Sequence, residues 1–141
     1  MALKLDMSKA YDWVEWIFLE EIMRKMGFSE RWINLTMICV KTMTYFVLVN
    51  GEPRGLIHPS RGISQGDPLS PFLFLLCTEG LNRLIKNADL KGDIHGFFLC
   101  RRGPKLTHLL FVDDSLLFCR ATVEECANVL NILEAYEKAS G

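Results

Sequence analysis

The stretch "LLFVDDSLLF", Leu109 to Phe118, sets two adjacent carboxylates in the middle of an apolar run. An ionised carboxylate loses several kcal/mol of hydration on burial unless a cation or hydrogen-bond donors replace the water. A turn would account for an isolated Asp-Asp. Asp113 and Asp114, however, sit between "LLFV" and "SLLF", and a third carboxylate, Asp6, ends the apolar strand-like run "LKLDM" more than a hundred residues away. On adjacent strands the three would converge at one rim of a sheet. Clustered carboxylates stay ionised together only around a hard cation. With no His or Cys nearby, all-oxygen ligation points to Mg²⁺ or Mn²⁺. Two such ions suit a phosphoryl transfer.

Around that feature the chain reads as a mixed α+β pattern, with helices against one face of an antiparallel sheet. Asp12 and Glu15 mark a helix start, with Val14, Phe18, Ile22 and Met26 on its inner face and Gly27 at its close. Ser29 caps a second helix whose expected inward residues are Trp32, Leu35, Ile38 and Cys39. "YFVLVNGEPRGLIHP" predicts two strands around Asn50-Gly51. "SRGISQGDPLSP" is a loop opening a largely buried helix, "FLFLLCTEGLNRLIKNA". Residues 92–120 hold two or three strands, with turns near Gly103-Pro104 and at the two aspartates. Thr122 and Glu125 form a capping box for a last helix, facing inward through Cys126, Val129, Leu130, Leu133 and Tyr136.

No run of about 18 uncharged apolar residues marks a membrane span. Five scattered cysteines without Cys-x-x-Cys spacing read as reduced, small hydrophobes in a reducing compartment, cytosol or nucleus. A net charge of −1 is low for a free-standing nucleic-acid binder.

"LKLDMSKAYDWVEWIFL", "RGISQGDPLSPFLFLL" and "LLFVDDSLLF" resemble three successive signature blocks of reverse transcriptases, in particular those of plant non-LTR (LINE-type) retrotransposons. The resemblance runs over essentially the whole chain. It implies a polymerase palm domain with a ferredoxin-like core, spanning residues 1–141 as a fragment, with fingers and thumb truncated. The basic surfaces missing from the composition would belong to those parts. It further implies Asp6, Asp113 and Asp114 as catalytic ligands of two Mg²⁺ (or Mn²⁺) ions. Tyr11 becomes the aromatic gate against a ribose 2′-hydroxyl, with packing at a helix entrance as its plain alternative. Gln65 and Gly66 lie along the incoming nucleotide, and Phe111 supports the primer end. Asp12 and Asp67 are explained equally by helix capping, Lys9 by a surface role and Arg61 by solvation. The implied partners are an RNA template, a DNA primer and deoxynucleoside triphosphates, with no membrane. A truncated relic that folds without chemistry is the alternative, and a nucleotide cyclase on a similar palm finds no role for "SQGDPLSP".

Overall fold

The computed structural model describes residues 1–7, 9–111 and 114–141. In chain order it holds β1 (Ala2–Asp6), α1 (Ala10–Trp13), α2 (Trp16–Lys25), α3 (Glu30–Lys41), β2 (Tyr45–Val49), β3 (Glu52–Ile57) and α4 (Ser70–Lys91). There follow β4 (Phe97–Phe98), β5 (Lys105–Leu106), β6 (His108–Leu110), β7 (Asp114–Phe118) and α5 (Val123–Ser140).

The central sheet is antiparallel in the order β1-β7-β6. Alternation decides which way each strand faces. Leu3 and Leu5 on β1 pair with the buried Leu117 and Ser115 on β7, while Lys4 and Asp6 point to the exposed side. Helices cover the inner side: α4 packs against α2, α5 and β6. One apolar cluster joins Tyr11, Leu19, Met23, Ile33 and Met37 to Phe74 in the first half of α4. A second joins Leu81, Ile85 and Ala88 farther along α4 to Leu117, Val129 and Tyr136. The mixed helix and antiparallel-sheet class expected from the sequence is the one observed, and it agrees with a palm-type domain.

The remaining strands form two-stranded ribbons, β2–β3 and β4–β5. Asn50 (φ 53°) and Gly51 (φ 80°) make the turn of the first, both in the left-handed region that a tight hairpin demands. The second closes through the turn expected at Gly103, whose N–H donates to the Cys100 carbonyl at 2.9 Å. Residues 92–120 thus carry four short strands among the described residues, against the two or three expected.

The expected helix from Asp12 is broken instead into α1 and α2. Val14 and Glu15 are extended (ψ 115° and 127°) because tertiary partners take their backbone groups. The Val14 carbonyl accepts from Gly62 N–H and the Glu15 N–H donates to the Ser140 carbonyl, each at 2.8 Å. Asp12 consequently lies within α1 and caps nothing. The buried line of α2 is Leu19 and Met23, flanked by half-buried Phe18 and Ile22, while Met26 is exposed. On α3, Ser29 caps as expected by accepting from Trp32 N–H at 3.3 Å. The buried side is, however, Ile33, Thr36, Met37 and Val40, and Trp32, Leu35, Ile38 and Cys39 are exposed. On α5, Val129 and Tyr136 are buried and Leu130 is not.

Candidate active site

Asp6 closes β1 and Asp114 opens β7, and the two are direct cross-strand partners. Their placement follows from the strands' apolar residues. Burying Leu3, Leu5, Ser115 and Leu117 turns Asp6 and Asp114 to the opposite, exposed face, and a one-residue slip would reverse every side chain. Ser115, fully buried, donates its hydroxyl to the Met7 sulfur at 3.4 Å and helps fix this register. Like charges directly opposed across a ladder repel. Lys4, on the same face, brings its Nζ to 3.1 Å from Asp114 Oδ1. Asp113 lies outside the described residues. Among those described, no three acidic, His or Cys side chains form a ligand group.

The loop 58–69 is stitched onto α1, joining the first two signature blocks. Ile63 N–H donates to the Tyr11 carbonyl at 2.8 Å, and Trp16 Nε1 donates to the Gly62 carbonyl at 2.8 Å. Arg61 lies over the Trp13 ring at 4.0 Å and 3.6 Å from Glu15 while staying exposed to solvent, as expected. Gly62, at φ 86°, is required by space as well: a Cβ there would meet the Asp12 carbonyl oxygen at 2.9 Å. Gln65 and Gly66 follow in an exposed turn, Gly66 with φ 90°. Asp67 does not cap α4 directly. Its carboxylate accepts from Leu69 N–H at 2.7 Å just ahead of the helix, and Leu69 occupies the cap position. Tyr11 is buried at 8% exposure, its ring stacked on Phe74 with centroids 4.6 Å apart. Phe111 is exposed and donates its N–H to the Asp114 carbonyl at 2.8 Å.

A cleft of about 590 Å³ opens beside Asp6, walled by Lys9, Trp13, Phe74, Tyr136 and Glu137. Sequence reasoning missed the α5 side of it. It also missed Lys4, whose alternation with Asp6 was the available signal. Tyr136 anchors that wall by donating its hydroxyl to the Cys77 carbonyl at 3.1 Å, and burial pushes its phenol upward from the ordinary value. Glu125, expected in a capping box, receives only half of one: Thr122 Oγ1 accepts from Glu125 N–H at 3.2 Å. Its carboxylate instead accepts from His95 N–H and Arg120 N–H, each at 2.9 Å, and meets His95 Nδ1 at 2.8 Å.

Helices behind a small antiparallel sheet, with Asp6 and Asp114 in register at neighbouring strand ends, agree with a palm-type domain. Residues 1–141 match the family model described as "Reverse transcriptase (RNA-dependent DNA polymerase)", and the chain belongs to that family. An uncharacterised mitochondrial protein of Arabidopsis thaliana is 50% identical over 68 residues, 48% of this chain and 56% of that one. The Pol polyproteins of the type-1 retrotransposable element R2 are similar over most of this chain. That of Nasonia vitripennis is 33% identical over 80% of the chain and 10% of its own length. One from Popillia japonica is 27% identical over 82% and 18%. The chain therefore spans from a tenth to little more than half of these relatives. No described helix is long and apolar enough to cross a membrane.

Proposed function

We propose that these 141 residues are one palm domain of an RNA-directed DNA polymerase that joins deoxynucleotides to a primer 3′-hydroxyl on an RNA template. The observation that carries this reading is the register placing Asp6 opposite Asp114 at the sheet rim. The donor set fits Mg²⁺ or Mn²⁺, since the carboxylates supply hard oxygens on an exposed face with room for water and phosphate ligands. Asp6, Asp114 and Asp113, one residue before Asp114 in sequence, would hold two ions. When bound, these would favour the ionised primer hydroxyl and offset charge on the phosphate.

The chain's own residues do the positioning. Tyr11 is buried and held flat on Phe74, the packing its plain alternative describes; its role as a gate beside the sugar rests on its place in the first signature block of the family. Gln65 and Gly66 stand in a turn tied through Gly62 and Ile63 to the helix carrying Tyr11, so a base or sugar resting on one is referenced to the other. Phe111, exposed at the end of β6, offers a ring to the primer end. Positioning and electrostatics supply most of phosphoryl-transfer catalysis, so the 141 residues alone would be inactive without duplex- and triphosphate-gripping parts.

Primer extension on an RNA template, in a protein extended to the length of the R2 relatives, tests this. Asp6→Asn and Asp113→Asn should each lower extension by about 10²-fold or more while leaving the fold intact. Extension at the unaltered rate would refute the assignment. Tyr11→Val should admit ribonucleotides, and unchanged sugar discrimination would remove Tyr11 from its role.

A further inference from the structure

Lys4 is a cation that the catalytic reading leaves without a task. It lies two residues before Asp6 on the same exposed face of β1, in register with Leu116 and therefore diagonal to Asp114. A diagonal neighbour is within reach of a long side chain. The contact is made: Nζ to Oδ1 is 3.1 Å, with the two side chains 63% and 52% exposed. This puts a monovalent charge against one of two carboxylates that are directly opposed in register.

We propose that Lys4 is the resident counter-ion of the Asp6–Asp114 pair, and that it competes with the divalent cation for Asp114. The proposal rests on reading those two carboxylates as metal ligands. Without metal, the ammonium offsets the repulsion across the ladder. When a divalent cation takes Asp114, Lys4 must let go, and its charge then opposes the incoming ion. Lysine suits this exchange because its ammonium is a hydrated point charge on a flexible stem, whereas a guanidinium would clamp the carboxylate in a fixed fork. An exposed pair of this kind shifts an equilibrium by about two- to fivefold. It is large enough to tune metal affinity and small enough not to block it.

Mn²⁺ titration of the 141-residue chain, followed by water-proton relaxation, measures the effect without any need for activity. Lys4→Met should bind Mn²⁺ about two- to fivefold more tightly than the unaltered chain at low salt. The gap should narrow at high salt, as screening weakens exposed charges. Lys4→Arg keeps the charge and should not tighten binding. In an Asp114→Asn background, Lys4→Met should lose most of its effect. Unchanged or weaker binding by Lys4→Met would overturn the proposal, as would an equal gain in the Asp114→Asn background. Asp6→Asn and Asp114→Asn separate the two readings. If they weaken Mn²⁺ binding while Lys4→Met does nothing, only the role of Lys4 falls. If neither weakens it, the carboxylate site itself is wrong and this inference falls with it. Thermal unfolding followed by circular dichroism confirms that each variant is folded.

Discussion

Tyr11 lies flat against Phe74, with ring centroids 4.6 Å apart and planes inclined by 12°. The contact joins α1, which follows the first aspartate, to α4, which follows the glycine-rich loop. A stacked aromatic pair contributes about 0.5–1.5 kcal/mol beyond the area it buries. Tyr11→Ala should lower unfolding free energy in urea by about 3–5 kcal/mol, as truncation of a buried aromatic commonly does. Phe74→Ala should do likewise. The double variant should lose measurably less than the sum, and strict additivity would show that the stack carries no coupling. Any change in sugar selectivity at Tyr11 must therefore be read on variants first shown to be folded.

Gly62 sits where two requirements coincide. Its φ of 86° is unfavourable for side chains, and a Cβ would press to 2.9 Å on the Asp12 carbonyl oxygen, which is backbone and cannot swing away. Gly62→Ala should cost about 1–3 kcal/mol in a denaturant melt. Gly66→Ala shares the strained φ but meets no atom within 4 Å, so its loss should be smaller. Equal losses at the two positions would show that the close approach at Gly62 does not matter.

What the sequence made legible follows from local rules. Strand alternation ended β1 at Asp6, Asn50-Gly51 forced a hairpin, and Ser29 and Thr122 capped their helices because their hydroxyls serve orphan N–H groups. The meeting of Asp6 and Asp114 across β1 and β7 was legible from the apolar strands that carry them, but the burial that made their charge costly was not met, because alternation turns both to the exposed face. Helix faces were not legible. In α3 apolar residues occupy nearly every direction, and a one-residue choice rotates the face by about 100°. Packing against α2 settled on Ile33, Met37 and Val40. The break at Val14–Glu15 was equally hidden, because the groups that cause it, Gly62 N–H and the Ser140 carbonyl, are remote in sequence.

The two sides of α3 give that rotation a measurable consequence. Ile33 is 1% exposed and Leu35 is 52% exposed. Ile33→Ala should destabilise the chain by about 2–5 kcal/mol. Leu35→Ala should stay within about 0.5 kcal/mol. The reverse order in urea melts would mean that α3 faces the way its sequence first suggests.

The five cysteines are all unpaired, but their environments differ. Burial pushes the Cys77 thiol up to about 12, and burial also raises that of Cys119. Thiolate is the reactive form. Cys39 and Cys100 are exposed and should react quickly with a thiol-specific disulfide reagent under native conditions. Cys77 and Cys119 should react only with denaturant, and mass mapping after a brief pulse distinguishes the groups. Rapid labelling of Cys77 would contradict its place beneath α5.

Glu125 holds three segments together through one carboxylate. It is 6% exposed and ties the His95 loop and the end of β7 to the first turn of α5. Burial pulls its pKa upward, yet the backbone N–H donors of Arg120 and His95, with the His95 ring, outweigh that pull, and the net shift is downward. A group whose folded pKa lies below its unfolded value contributes stability above the unfolded value and loses it as pH falls through the folded one. Glu125→Ala leaves the two backbone N–H groups without their acceptor and should cost about 1–3 kcal/mol near neutral pH. Glu125→Gln keeps an oxygen for them and should cost less. Below the ordinary carboxylate range the unaltered chain protonates Glu125 and sheds the same contribution, so its advantage over Glu125→Gln should shrink steadily with acid. Thermal melts of both proteins from neutral to acid pH measure this. A gap that stays constant, or widens, as pH falls would mean that the ionised form of Glu125 does not hold the junction.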